Sequence, residues 1–166
     1  MSTSLVSLAS LVSAFNPVTP QLRVAAIIVR GTQILLVEHR KRGQHYWVLP
    51  GGRLEGLETL EAALRRELNE ELGLDARVGQ LVIVSEMLAP DRHVVNLMFH
   101  AEIGEEAEPR LDRADPVLAG WQWVPTDQLP RLDFRPPIAD AVQAVIAEKF
   151  SGPVRVLGDT WKPQPR

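Results

Sequence analysis

Between residues 51 and 74 the chain reads GGRLEGLETLEAALRRELNEELGL, and this stretch decides how the rest is read. Paired glycines, Gly51 and Gly52, follow Pro50, and a helical pattern begins after Thr59. Thr59 suits the N-cap, and Glu61 falls in the first turn, where the helix dipole favours a negative charge. At 100° per residue Leu60, Leu64, Leu68 and Leu72 form one stripe, the face that packs on a core. Gly73 suits the left-handed position that ends a helix, with Leu74 folding back toward Leu68.

Glu67, Glu70 and Glu71 lie on an adjoining face, centred roughly 90° from the leucines, at the margin of the buried surface. Carboxylates at i, i+3 and i+4 repel one another, and partial burial adds a desolvation penalty. A divalent cation reverses that sign, and hard oxygen donors select Mg²⁺ or Mn²⁺, with Ca²⁺ less suited to catalysis. Gly51 and Gly52 can take backbone angles closed to other residues, so such a loop can turn carbonyls toward a metal and N–H groups toward phosphate oxygens. For three glutamates alone, a solvated charged face is the plain alternative.

The wider spacing resembles the Nudix box: a glycine, five residues, Glu, seven residues, Arg-Glu, an aliphatic, any residue, Glu-Glu, any residue, Gly and an aliphatic. Gly52, Glu58, Arg66, Glu67, Leu68, Glu70, Glu71, Gly73 and Leu74 fill it without departure. The resemblance implies that Glu67, Glu70 and Glu71 ligate the metal, joined by the backbone carbonyl of Gly51. It further implies a structural ion pair between Glu58 and Arg66. Glu70 is the first choice for general base, with Asp115 and Asp112 as alternative bases or further ligands. The implied reaction is attack of water on a diphosphate linkage in a nucleoside diphosphate derivative, with Mg²⁺ or Mn²⁺ as cofactor. Phosphoryl transfer needs positioning and charge stabilisation more than a covalent nucleophile, which suits a chain without a Ser-His or Cys-His motif.

Outward from the box, the 166 residues fit one domain with short appendages. The expected division is a leader over 1–20, helical or flexible, a domain over 21–150 and a loosely held tail over 151–166. A hydrophobic share of 45% allows a substantial core, and the absence of cysteine excludes disulfides and thiolate chemistry. A net charge of −3 argues against nucleic-acid or anionic-membrane binding driven by charge alone. No apolar run approaches the length of a bilayer span. The leader MSTSLVSLASLVSAF has no Lys or Arg before its apolar stretch, unlike a signal peptide. A cytoplasmic enzyme is expected, with the leader packing on the domain or on a second subunit of a homodimer, or left disordered.

RVAAIIV (23–29) and QILLVE (33–38) read as a strand hairpin about Gly31-Thr32, and HRKRGQHY (39–46) as a basic loop. Strands follow at 47–49, 76–86, 93–103 and 120–124, with a turn at Pro90-Asp91. The acidic segment 104–116 reads as a mobile loop and 138–150 as a helix. This order gives an α/β (α+β) class: a Nudix-like α/β/α sandwich with a mixed sheet between helices.

Arg40, Lys41 and Arg42 could touch substrate phosphates, although a basic loop is more often only solvated. Trp47, Trp121 and Trp123 could stack a base or simply fill the core. His93 and His100 read as strand residues with no metal role. PDRH (90–93) is similar to the nucleotide-sanitising branch, which favours a (deoxy)nucleoside triphosphate cleaved to the monophosphate. So does the lack of the longer N-terminal sheet domain that ADP-ribose enzymes often carry. ADP-ribose or a nucleotide sugar is the other substrate reading. A Nudix-fold nucleotide-binding module without catalysis is the alternative of a different class.

Overall fold

The computed structural model describes residues 18–111 and 116–161. The expectations for the leader through residue 17, for Asp112 and Asp115 and for the last five residues lie outside the described residues. Among the described residues there are eight strands: β1 (Gln21–Ile27), β2 (Val29–Arg30), β3 (Gln33–Lys41), β4 (Gln44–Val48), β5 (Ala76–Ala89), β6 (Arg92–Ile103), β7 (Leu118–Pro125) and β8 (Arg155–Asp159). They are joined by two α-helices, α1 (Leu60–Leu72) and α2 (Ala139–Ala147), and by a 3₁₀ turn over Thr126–Arg131.

The strands form two four-stranded sheets. The first, ordered β1-β6-β5-β8, is mixed: β1 runs parallel to β6, β5 antiparallel to β6 and β8 parallel to β5. In the second, β3 pairs antiparallel with β2, β4 and β7. Two hydrophobic layers flank the strands. Val24, Ala26, Ile28, Leu35 and Val37 pack with α1, whereas Ile27, Ile34 and Leu36 pack with α2. Consecutive strand residues face opposite sides, and this alternation makes the α/β/α sandwich.

Four expectations are corrected. The apolar run 23–29 does not form one hairpin arm: β1 joins β6, and only Val29 and Arg30 pair with β3. The strand is interrupted at Ile28, where one run passes from the first sheet to the second. The basic stretch 39–46 is strand and turn instead of loop, since Arg42 and Gly43, at φ 52° and 77°, make the two-residue turn that lets β3 and β4 pair. The acidic segment is tied down over 104–111: Arg30 pairs with Glu108 at 2.7 Å and donates to the carbonyl of Ala107, and the amide of Arg110 donates to the carbonyl of Leu72. The tail is not loose over 155–159, because β8 adds to the edge of β5.

Helix α1 forms as its sequence directs. The Thr59 hydroxyl accepts from the amide of Ala62 at 3.2 Å, and Gly73 takes φ 63° at the C-terminal end. The amide of Leu74 reaches back to the carbonyl of Leu68 at 3.1 Å. Leu64, Leu68 and Leu72 are fully buried, each worth about 1.5–3 kcal/mol over an exposed position. No helix among the described residues is long and apolar enough to cross a membrane.

Candidate active site

The site forms where the chain leaves β4 and turns into α1 beside the outer edge of β1. The amide of Ala26 donates to the carbonyl of Pro50 and that of Val24 to Gly52, both at 2.9 Å, and the amide of Leu54 donates to Leu22 at 3.0 Å. Residues 50–54 therefore lie along β1 as an irregular extra strand. Gly51 sits at φ 135°, and a Cβ there would fall 2.2 Å from the carbonyl oxygen of Val24. At Gly52 a Cβ would fall 2.2 Å from the carboxyl carbon of Glu67. The second glycine thus leaves the space that the Glu67 carboxylate fills.

Arg66 ties the loop to the helix. Its Nε and Nη2 donate to the two oxygens of Glu58 at 3.1 and 2.8 Å, and Nη2 also donates to the carbonyl of Arg53 at 3.1 Å. One Glu58 oxygen accepts in addition from the amide of Glu55 at 2.7 Å. The guanidinium, and then that amide, hold the Glu58 carboxyl below its ordinary range. In return Glu58, more than any other neighbour, raises the affinity of Arg66 for its proton.

Arg66 Nη1 stands 3.1 Å from an oxygen of Glu67 and 3.1 Å from one of Glu70. The Glu67 side chain is 13% exposed and the Glu70 side chain 59%. Burial pushes Glu67 above the usual carboxylate range, opposed in part by Arg66. One oxygen of Glu71 accepts from the amide of Gly51 at 3.3 Å. The loop and helix thus bring together Gly51, Gly52, Glu58, Arg66, Glu67, Glu70 and Glu71, with Gly73 ending the helix.

Could these residues hold a divalent cation? The donor set is all oxygen and anionic, the chemistry that Mg²⁺ and Mn²⁺ require. A positive group already lies between Glu67 and Glu70, and Gly52 leaves the inner carboxylate room. The residues fit. They do not converge on a single point: among the described residues no group of three or more acidic or imidazole side chains is arranged as a finished metal cluster. To take a cation in its place, Glu67 and Glu70 would have to release Arg66 Nη1.

Arg23 is a member that sequence reasoning missed. Its Nη2 approaches the Gly51 carbonyl oxygen at 3.4 Å, and its positive charge favours ionised Glu67. A lone cation at the head of an apolar strand was the available signal. Arg40 lies on the β3–β4 hairpin opposite His45 and is exposed. Trp47 packs on the α2 layer, and Trp121 and Trp123 on the α1 layer, with the Arg30 guanidinium 4.4 Å from the Trp123 ring centre. His93 pairs with Glu86 at 2.9 Å, and His100 stacks on Phe150.

A mixed sheet pair, an acidic helix and a glycine loop braced by an Arg-Glu fork define the class. The NUDIX domain model matches residues 19–145, and the chain belongs to that family. Among its relatives, phosphatase NudJ of Escherichia coli (strain K12) is 36% identical over 73 residues, 44% of this chain and 48% of that protein. The chain thus spans about half the length of the curated relatives it matches. The crystal structure of a MutT NUDIX hydrolase from Burkholderia pseudomallei is 30% identical, with a TM-score of 0.65 over 76% of this chain and 98% of that one. The solution structure of the E. coli ORF135 protein is 25% identical, with a TM-score of 0.66 over 82% of this chain and 95% of that one.

Proposed function

We propose that the chain hydrolyses a diphosphate linkage in a nucleoside diphosphate derivative, with Mg²⁺ or Mn²⁺ as cofactor, and that its substrate is a (deoxy)nucleoside triphosphate cleaved to the monophosphate. The observation that carries the reading is the placement of Glu67 and Glu70 around one cationic position beside the Gly51-Gly52 loop. Glu67, Glu70 and Glu71, with the Gly51 carbonyl, would hold the cation. When bound, it would neutralise diphosphate oxygens and lower the pKa of the attacking water.

The chain's own residues divide the remaining work. Glu70, the more exposed carboxylate, is the proposed acceptor of the water's proton. Arg23, beside Gly51, supplies a positive charge for a phosphate oxygen that approaches the loop. Glu58 and Arg66 hold loop and helix in fixed relation, which keeps the carboxylates beside the Gly51-Gly52 loop. Similarity to a protein described as a MutT NUDIX hydrolase supports the hydrolase reading.

The test is a hydrolysis screen of nucleoside triphosphates, ADP-ribose and nucleotide sugars with Mg²⁺ or Mn²⁺, with products identified. Monophosphate release that stops on chelation and falls at least about 100-fold in Glu70→Gln is expected. A strong preference for ADP-ribose would overturn the substrate assignment. Unchanged turnover in Glu70→Gln would overturn its role.

A further inference from the structure

Away from the glutamates, a groove of about 710 Å³ lies between the 3₁₀ turn, the start of α2 and β8. Leu132, Pro137, Ile138 and Leu157 give it an apolar lining. Asp140 and Asp159 are the charged residues among its described walls, and no Lys or Arg there neutralises them. Asp140 makes no ion pair among the described residues. An apolar surface edged with unneutralised carboxylates fits a segment that brings cations and few backbone donors.

The chain leaves β8 at the rim of this groove. Thr160, a wall residue, donates from its hydroxyl and its amide to the carbonyl of Glu86 at 2.7 and 2.8 Å, which fixes the point of exit. The amide of Trp161 then donates to the Asp159 carboxylate at 2.9 Å, an Asx turn that bends the chain away from the strand. Next in the sequence come Lys162, Pro163, Gln164, Pro165 and Arg166, with two cations and no acid. Five residues reach at most ~17 Å, the length of a strand such as β8, so they can lie along the groove. The two prolines have no N–H to take out of water, and they favour an extended backbone that lays its rings on an apolar surface. We propose that residues 162–166 of this chain occupy the groove, the prolines against its apolar lining and Lys162 and Arg166 toward its carboxylates. The segment thereby clasps β8 to the start of α2, whether or not the chain hydrolyses a nucleotide.

The chain has no cysteine, so Gln164→Cys places a single nitroxide label on the full chain. Amide resonances of Leu132, Ile138 and Ala141 should broaden. Adding Lys162→Glu and Arg166→Glu to the labelled chain should lower the bound-to-free ratio of the segment by about fivefold or more, the scale of partly exposed ion pairs. Broadening at the three groove residues should fall accordingly, while that at Leu88, beside the root of the segment, persists. Asp140→Lys in the charge-reversed chain should restore part of the loss. Both reversals in the segment lie outside the packed core, so the fold itself is not at stake in them. Broadening that never reaches Leu132 and Ile138, or that ignores the charge reversal, would overturn the proposal. In a second sample, labelled chain without isotope is mixed with isotope-enriched, unlabelled chain. Broadening of the groove resonances in that mixture would mean that a second copy supplies the segment, and would overturn the clasp within one chain.

Discussion

Glu67 is held for its charge in a place that penalises charge. Burial raises its pKa and Arg66 lowers it again, with burial the larger influence. An acid whose pKa rises on folding binds its proton more readily in the folded state, so its ionisation erodes stability as pH climbs from the ordinary value through the raised one. Glu67→Gln should therefore raise the melting temperature at pH 7 without divalent cation, a gain that fades as pH falls to the ordinary carboxylate range. The same variant should lose about 100-fold or more of its turnover. A lower melting temperature at pH 7 would show that the Arg66 contact outweighs burial. Glu58 has the opposite sign: its pKa is depressed, so its stabilisation is present above the ordinary value and is lost as pH falls through the lowered one. Arg66→Ala removes the partner of both; after discounting for partial exposure, a loss of about 1–2 kcal/mol in urea denaturation is expected.

At the scale of elements, the site depends on how closely a loop lies against a helix. The amphipathic face, Thr59 cap and Gly73 stop of α1 were legible because they are local: each follows from spacing along one helix. The contact of Gly52 with Glu67 was not, because it depends on the register in which residues 50–54 lie along β1. Gly52→Ala should lower kcat at least about tenfold, because its Cβ would lie 2.2 Å from the Glu67 carboxyl carbon. Far-UV circular dichroism should show the helix retained. Wild-type activity in that variant would mean that Glu67 can move aside without cost. The β3–β4 hairpin shows the opposite failure of local reading: charge density suggested a loop, whereas Arg42 and Gly43 at positive φ allowed strands to continue on both sides.

For the whole molecule, β8 closes the open edge of β5. Ending the chain at Ser151 should lower the melting temperature and produce self-association on size exclusion, since an uncovered strand edge is a template for another chain. A monomer of unchanged stability would show that β8 contributes nothing to the sheet. The tail was read as loose because its prolines and glycines conceal a five-residue strand whose partner lies about 70 residues earlier in the chain. The approach of Arg23 to the Gly51 carbonyl was hidden for the same reason. By itself the sequence determined the box helix, its buried stripe, its carboxylate margin, the family resemblance and the sandwich class, because helical period and strand alternation are written in neighbouring residues. Only the tertiary structure decided which strands pair, that Glu67 lies beneath Gly52, that Arg66 stands between Glu67 and Glu70, and that β8 adds to the edge of β5. Those facts depend on long-range register and side-chain packing, for which no local spacing is a proxy.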